Sequence, residues 1–522
     1  MRDLDLLRLE RRVGLMLAPL AGGPGAAVGV ARDGALLLRR GGGLASLEHQ
    51  VPIGPDTAFR IASVSKHVTC AALLLLEREG RLRLDDPLGK HLPALPAAFH
   101  PLPLRLLAQN RAGLRDMFEL ARLGGLDLSH PVSEAELDGL IAPATGLNFA
   151  PGTRFLYSNT GFRWLGQAIE AVEGAPLAEV LDRRIFAPLG MTRTRHAPDL
   201  LAPVPGLATG HLADGRRAPH GFPLGGEGGL VSTVEDLALW ARALSLETLG
   251  PLEAALAEAP PFPGGAPGRY GLGLEVGEWR GLRLHAHGGL WPGYRSAFLR
   301  VPSRRLTVMV LANSAGLDPL AMALEVLAAA LAGDAGLRPA PPAPPADGLE
   351  GRWACLEAGL SLDIGPGPVA RMHGTPFALV PHEDGRWHER RAAFPFALRQ
   401  EDGALAVEMD AGVTLRFDRA PGGKLPALDG TWRCAEAQAE WRIAGEHVEI
   451  GGPLRRGVPG RLEAVAPGLA RVHAPSILGE MWWDVRVEGA RLTVNAGRAR
   501  GMEFSPSGRT ASASPRRRSS PA

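Results

Sequence analysis

Lysine is nearly absent from this 522-residue chain. Lys66, Lys90 and Lys424 are the only three, although lysine and arginine together number 57. Arginine keeps its proton at any accessible pH, whereas a buried lysine can release one. In a chain that uses arginine wherever charge alone suffices, each remaining lysine is a candidate for a role that needs a titratable amine. Cysteine is equally scarce: Cys70, Cys355 and Cys434 are odd in number and far apart. That excludes a disulfide framework and a zinc-type ligand spacing, so no metal is expected, and it suits a reducing compartment. No apolar run reaches the ~20 residues that cross a bilayer, so no membrane partner is expected. The 57 basic side chains nearly balance 55 acidic ones, for a net charge of +2, and nucleic acid is not expected as a partner either.

The chain is too long for one core, and its length suggests about three domains. Residues 2–12 mix Asp3, Asp5 and Glu10 with arginines, where an export signal would be purely basic before its apolar run. No leader is therefore expected, and the cytoplasm is the expected compartment. Leu6, Leu9, Val13 and Leu17 recur at helical spacing and predict an amphipathic helix packed on the first domain.

The most hydrophobic helical pattern opens with Ser63-Val64-Ser65-Lys66 and runs through Leu73-Leu74-Leu75-Leu76 to Gly80. A helix apolar on all sides is buried, so this one is expected to cross the middle of a domain. Ser63 at its first turn lies beside the positive end of the helix dipole, and Lys66 projects from the same face. A hydroxyl with an amine beside it is the minimum outfit of an activated nucleophile; the bland alternative is a capping serine followed by a surface lysine.

Around this helix the pattern alternates. Ala26-Ala27-Val28-Gly29-Val30 and Ala35-Leu36-Leu37-Leu38 flank Arg32-Asp33-Gly34, a hairpin with an Asp-Gly turn. Residues 81–145 read as helix and loop. Pro151-Gly152 opens a loop that carries Tyr157 and Asn159 onto a turn before a helix. Gly228-Gly229-Leu230-Val231-Ser232-Thr233 leads into a further helix, capped by Ser232 or Thr233. Leu282-Arg283-Leu284-His285-Ala286-His287-Gly288-Gly289 and Ser296–Val301 read as adjacent strands, with Leu306–Leu311 after them. Strands at both ends with helices between them predict one antiparallel sheet closed by both ends of the segment.

Three motifs line up in this segment. With three lysines, a serine three residues ahead of one is expected by accident roughly 0.15 times. With three tyrosines and five asparagines, Tyr-x-Asn is expected roughly 0.03 times, whereas His-x-Gly alone is worthless. The order Ser63-x-x-Lys66, Tyr157-x-Asn159, His287-x-Gly289 resembles the penicillin-recognising serine hydrolases related to class C β-lactamases. Leu84-Asp85-Asp86-Pro87, Gly229–Thr233 with Asp236, and Tyr270-Gly271-Leu272-Gly273 support the resemblance over roughly residues 20–330. A histidine in place of the usual Lys-Thr-Gly lysine is similar to the esterases and D-aminopeptidases of that family.

The resemblance implies an α+β catalytic domain over 1–335 with Ser63 as nucleophile. Lys66 and Tyr157 share the proton transfers, and which of them is the base stays open. Asn159 holds the lysine and a substrate amide, unless it merely caps a helix. His287, on the edge strand, places a switchable charge near the tyrosine, with His285 as the competing histidine. The Ser63 and Leu290 N–H groups form the oxyanion hole.

Past residue 335 the composition changes. Residues 336–347 form a stiff proline-rich linker. The region beyond the linker contains a repeat: Leu349-Glu350-Gly351-Arg352-Trp353-Ala354-Cys355 matches Leu428-Asp429-Gly430-Thr431-Trp432-Arg433-Cys434. Short alternating strands and Gly-containing turns predict two small antiparallel β-barrels, at 348–420 and 421–506. The serine-, proline- and arginine-rich tail over 507–522 is expected to be disordered.

A penicillin-recognising domain joined to two barrels is similar in layout to the D-aminopeptidases, in which a loop of the last barrel enters the cleft and reads the substrate's free amine. The corresponding loop, near 471–484, is altered here. It opens on His473 where that family has an acid, and Glu480 is the candidate to compensate. The partners implied are a small peptide, amide or ester substrate and a second copy in a homodimer, with no cofactor. Cutting at the linker would remove no member of this catalytic set. Two other readings stay open: an esterase or D-stereospecific amidase with no need of a free amine, and a non-catalytic ligand-binding protein.

Overall fold

The computed structural model of the chain describes residues 5–507, apart from 392–394, 411, 426 and 490; the tail from Gly508 onward lies outside the described residues. Strands Ala26–Arg32 and Ala35–Gly42 are joined through Asp33 and Gly34, with φ of 52° and 82°. Two successive left-handed residues make the tight turn whose twist matches that of paired strands. Leu306–Ala312 returns from the far end of the segment and pairs with Ala26–Arg32, Val28 opposite Val310. The six-stranded antiparallel sheet then continues through Tyr294–Val301, Leu282–Trp291 and the short edge strand Glu275–Trp279.

Each face of this sheet is covered for a sequence reason. Leu9, Val13 and Leu17 of helix Leu6–Leu17 are buried and pack with helix Pro319–Ala330 against one face. The other face carries the larger core, built on helices Ser65–Arg78, Asn159–Glu173 and Val234–Leu246. In Ser65–Arg78 only Leu75, Glu77 and Arg78 escape full burial, as an all-round apolar helix requires. Thr233 caps Val234–Leu246, its hydroxyl accepting from Asp236 N. Among the described residues no helix is long and apolar enough to cross a membrane.

Two closed eight-stranded antiparallel barrels complete the chain, spanning Gly351–Arg419 and Gly430–Pro506. The internal repeat is visible in their cores. Trp353 and Trp432 each donate the indole N–H to the carbonyl four residues back, Leu349 at 2.9 Å and Leu428 at 2.8 Å. Cys355 and Cys434 are buried free thiols at equivalent strand ends. The barrels are bound to each other through Arg471, whose guanidinium bonds Asp363 at 2.8 and 2.9 Å and Ser361 Oγ at 2.6 Å.

The barrels are not appendages of the catalytic domain. Helix Met117–Leu123 sends Leu120 and Leu123 into the interior of the second barrel, beside Trp441 and Trp483. Trp441 Nε1 donates to Leu123 O at 3.0 Å. Each leucine buried this way contributes about 1.5–3 kcal/mol to holding the two units together.

Candidate active site

Ser63 lies in a 3₁₀ turn, Ala62–Val64, that runs directly into helix Ser65–Arg78. The turn is tightly held. Ala62 has a left-handed φ of 48°, and Ile61 O accepts from Ser296 Oγ at 2.7 Å. A Cβ on Gly289 would come within 2.2 Å of that carbonyl, so glycine is what lets the sheet approach the nucleophile's turn. On the opposite side Gly273, at φ 67°, packs on the Lys66 backbone, where a Cβ would meet the carbonyl at 2.7 Å.

Ser63 is partly exposed, whereas Lys66 is fully buried. Lys66 Nζ lies 3.0 Å from Ser63 Oγ, 2.9 Å from Asn159 Oδ1 and 2.6 Å from Glu227 O. Burial lowers its pKa to about 7; Glu227 and Asp116 pull it back up, and Arg498 pushes it further down. A neutral amine has two N–H donors and one lone pair. The two carbonyl oxygens use the donors, which leaves the lone pair for the Ser63 hydroxyl. Tyr157 is hydrogen-bonded to Ser63, and burial raises its pKa above the ordinary phenol range, so it remains a protonated phenol at neutral pH.

Asn159 is the first residue of helix Asn159–Glu173, and it does not cap it. Its side chain points inward and bridges Lys66 and Asp116. Oδ1 accepts from Lys66, while Nδ2 donates to Asp116 Oδ2 at 2.9 Å; the Asn159 backbone N–H donates to the same oxygen at 2.7 Å. The capping alternative is thereby excluded.

His287 corrects two expectations. Its strand is not the sheet edge throughout: Glu275–Trp279 pairs with it as far as Ala286, and among the described residues no strand pairs with that side from His287 onward. Nor is His287 a switchable charge. Burial, with Lys66 and Arg391 nearby, holds its pKa well below the usual imidazole value. Nδ1–H donates to Gly288 O at 2.7 Å, which leaves Nε2 to accept from Tyr270 Oη at 2.9 Å. The neutral ring packs 6.1 Å from Tyr157, centroid to centroid. His285 is engaged elsewhere, 3.2 Å from Glu253. Leu290 sits on the free stretch of strand and is 49 % exposed.

The altered barrel loop does reach the catalytic domain. Asp127 accepts from Ser476 Oγ at 2.9 Å and from Ile477 N at 2.8 Å, and Ile477 and Leu478 pack against the catalytic core. His473 is clamped between two carboxylates, Glu480 at 2.8 Å and Glu463 at 2.6 Å. It is thus the partner of acids and not a lone substitute for one.

Five residues at the site had no role assigned from the sequence. Tyr270 opens the Tyr270-Gly271-Leu272-Gly273 segment that supports the family resemblance and is one of only three tyrosines. Asp116 caps helix Met117–Leu123, its Oδ1 accepting from Phe118 N at 3.1 Å, a local role that hides its reach to Asn159; Glu227 stands in a loop, and the pKa of its buried carboxyl is raised by desolvation. Arg391 and Arg498 come from the two barrels. Arg391 bonds Glu275 at 2.5 and 3.2 Å, and Arg498 bonds Asp116 at 3.1 Å and Glu119 at 3.0 Å. For metal ligation, His382, Asp384 and His388 of the first barrel bring three ligand atoms within 4.8 Å of one another, but Arg386 occupies that carboxylate at 2.8 Å.

A serine hydroxyl flanked by a buried amine and a buried phenol, beside the free edge of an antiparallel sheet, defines a serine hydrolase of the β-lactamase fold. The chain belongs to the Beta-lactamase family, which it matches over residues 16–332. The likeness runs on through the barrels. A D-aminopeptidase of Gluconobacter oxydans is 32 % identical over 464 residues, covering 85 % of this chain and 86 % of that protein. One of Cereibacter sphaeroides is 30 % identical over 518 residues, covering 94 % and 96 %. Among solved structures, the D-amino acid amidase of Ochrobactrum anthropi, complexed with D-phenylalanine, superposes with a TM-score of 0.53. It is 26 % identical and covers 63 % of this chain and 98 % of its own.

Proposed function

We propose that this chain is a D-aminopeptidase that releases N-terminal D-amino acids, of the size of D-alanine, from small peptides, amides and esters through an acyl-enzyme. The observation that carries the chemistry is the fully buried Lys66 amine, 3.0 Å from Ser63 Oγ and with a pKa lowered to about 7. At neutral pH a large share of it is the free base. Tyr157, held as a phenol, is a poor base but a competent relay.

Ser63 Oγ attacks the substrate carbonyl carbon while its proton passes to Lys66. The Ser63 and Leu290 N–H groups hold the oxyanion. Collapse breaks the bond to the leaving amine, which takes up the Lys66 proton through the Tyr157 hydroxyl. Water then attacks the Ser63 ester by the same route and frees the D-amino acid. Asn159 fixes Lys66 and offers its amide to the substrate, and neutral His287 keeps Tyr270 in place beside Tyr157. Glu480, 68 % exposed and bonded to His473, meets the substrate ammonium, with His473 as its holder. The D-stereospecific amidase reading shares the acyl-enzyme steps and differs in needing no free amine on the substrate.

The compartment we propose for the reaction is the cytoplasm, where the free thiols Cys70, Cys355 and Cys434 would stay reduced. A homodimer belongs to the same proposal, and light scattering on the purified chain separates one copy from two.

The test compares D- and L-alanine p-nitroanilide, N-acetyl-D-alanine p-nitroanilide and p-nitrophenyl acetate. Preference for the free-amine D-substrate, with an acyl adduct on the Ser63 peptide by mass spectrometry, is the expected result. Preference for the ester or the N-acetyl substrate leaves an esterase or amidase; absence of any Ser63 adduct sinks the assignment. Glu480→Gln is expected to lower the ratio of kcat/KM between the free and acetylated anilides several-fold, the worth of about 1 kcal/mol from a partly screened charge.

A further inference from the structure

We propose that Arg498, delivered by the second barrel, is a positioning residue for the reaction: through Asp116 and Asn159 it holds the Lys66 amine against Ser63. The inference rests on the acyl-enzyme reading above and extends it to a residue outside the catalytic domain.

The path is continuous. Arg498 Nη2 lies 3.1 Å from Asp116 Oδ1. Asp116, fully buried, accepts at its other oxygen from the Asn159 side chain at 2.9 Å and the Asn159 backbone at 2.7 Å. Asn159 Oδ1 then accepts from Lys66 at 2.9 Å. The barrel also grips Asp116 by its backbone, since Asp116 N donates to Arg498 O at 3.1 Å. Asn148 locks the same turn, donating to Arg498 O at 3.1 Å and accepting from Arg500 N at 2.8 Å.

A buried carboxylate must be paired or it neutralises itself. Without Arg498, Asp116 has two outcomes, both harmful. Protonated, it loses an acceptor site and loosens the Asn159 amide. Ionised, it keeps pulling the Lys66 pKa up without the opposing charge of Arg498, which favours the ammonium over the free base. The other charged or titratable groups facing Lys66 leave this balance in place. They are Glu227 and, acting on it, Arg163; Cys70 on the same helix; Tyr157 and His287; and, acting on those two, Arg391 from the first barrel, paired with Glu275. Removal of Arg498 raises the Lys66 pKa, because its charge now lowers it. The acid limb of the pH profile, where the base gains its proton, therefore climbs.

The experiment uses the full chain, with p-nitrophenyl acetate and a fluorophosphonate that labels Ser63. Variants are Arg498→Gln, Arg498→Lys, Arg498→Gln with Asp116→Asn, and Arg500→Gln. The last loses the neighbouring barrel arginine, which bonds Asp410 and not Asp116. Circular dichroism and Tm check folding. Arg498→Gln is expected to lose about tenfold or more in kcat and in labelling rate, the scale of a displaced general base. KM should change little and the acid limb should move to higher pH. Arg498→Lys should recover part of the rate, and Arg500→Gln should keep both rate and limb. The double variant should return the limb towards its original pH, since Asp116 no longer carries a charge near Lys66 and Glu119, the other partner of Arg498, keeps Arg122 at 3.5 Å.

Folded Arg498→Gln with wild-type rate and limb overturns the proposal. So does an Arg500→Gln variant equally impaired, which would make the contact a docking contact only. If Arg498→Gln does not fold, Arg498→Lys carries the test: a lowered Tm with wild-type rate and an unchanged pH profile overturns the proposal. A wild-type chain whose Ser63 takes no label removes the acyl-enzyme reading itself, and this inference with it.

Discussion

Lys66→Arg isolates what the scarce lysine does. The substitution keeps a positive charge at the same helical position and removes the lone pair, since a guanidinium does not deprotonate. In the wild-type site three partners surround Nζ within 3.0 Å, and two of them, Asn159 Oδ1 and Glu227 O, can only accept. The third contact, to Ser63, is thus the one through which a neutral amine takes a proton. With a pKa of about 7, the base is roughly half free at pH 7 and about one part in a hundred free at pH 5.

Loss of a positioned base costs about 10²–10⁴ in rate, or roughly 3–5 kcal/mol of barrier at 1.36 kcal/mol per tenfold. Lys66→Arg is therefore expected to fall within that range and to match Lys66→Ala. Wild-type kcat/KM should drop about tenfold per unit below pH 7. The assay is stopped-flow release of p-nitrophenol from pH 5 to 9, with circular dichroism at each pH. The fold must be checked at the acid end because His67 is buried neutral, its pKa lowered to about 3 by desolvation. Unfolded, it regains a value of about 6.5, so the stability it contributes is full above that pH and is lost as pH falls from there toward about 3. A Lys66→Arg enzyme that keeps more than about a tenth of the wild-type rate, or a flat acid limb, refutes the reasoning: Lys66 would then be a fixed charge.

Three further perturbations probe the same geometry. Tyr270→Phe leaves the buried Nε2 of His287 without its 2.9 Å donor and is expected to cost about 1–3 kcal/mol of stability by urea denaturation; an unchanged midpoint would mean that the bond is not made. Gly273→Ala puts a Cβ 2.7 Å from the Lys66 carbonyl at a positive φ, and should lower both Tm and kcat, while equal Tm and kcat would discount the close packing there. A chain ended at residue 347 keeps every residue of the sequence motifs but exposes Leu120 and Leu123 and strips Asp116 of Arg498. It is expected to aggregate or, if soluble, to be inactive even on activated esters; a soluble truncate with wild-type esterase activity would show that the barrels only filter substrate.

Much of this protein was legible along the chain because the information is local. The Ser63 to Lys66 spacing is one helical turn, so two side chains that must meet are encoded by the helix itself. The Asp-Gly turn, the alternating strands and the repeated Trp353 and Trp432 segments are local in the same way. The pairing of Ala26–Arg32 with Leu306–Ala312 was readable only as a class of arrangement, an antiparallel sheet closed by both ends. What tertiary structure alone decided is the electrostatic state of the site. His287 was expected to switch charge and is instead held neutral, because its pKa depends on how much protein surrounds it and not on its neighbours in sequence. Asn159 had two readings, a helix cap or a holder of Lys66, and the fold decides for the second by setting Lys66 at its oxygen and Asp116 at its amide nitrogen. Arg391 and Arg498 carry no motif, since a guanidinium recognises a carboxylate wherever folding brings one. The charge balance around Lys66 is a sum over side chains hundreds of residues apart, and distances between such groups exist only once the chain has closed.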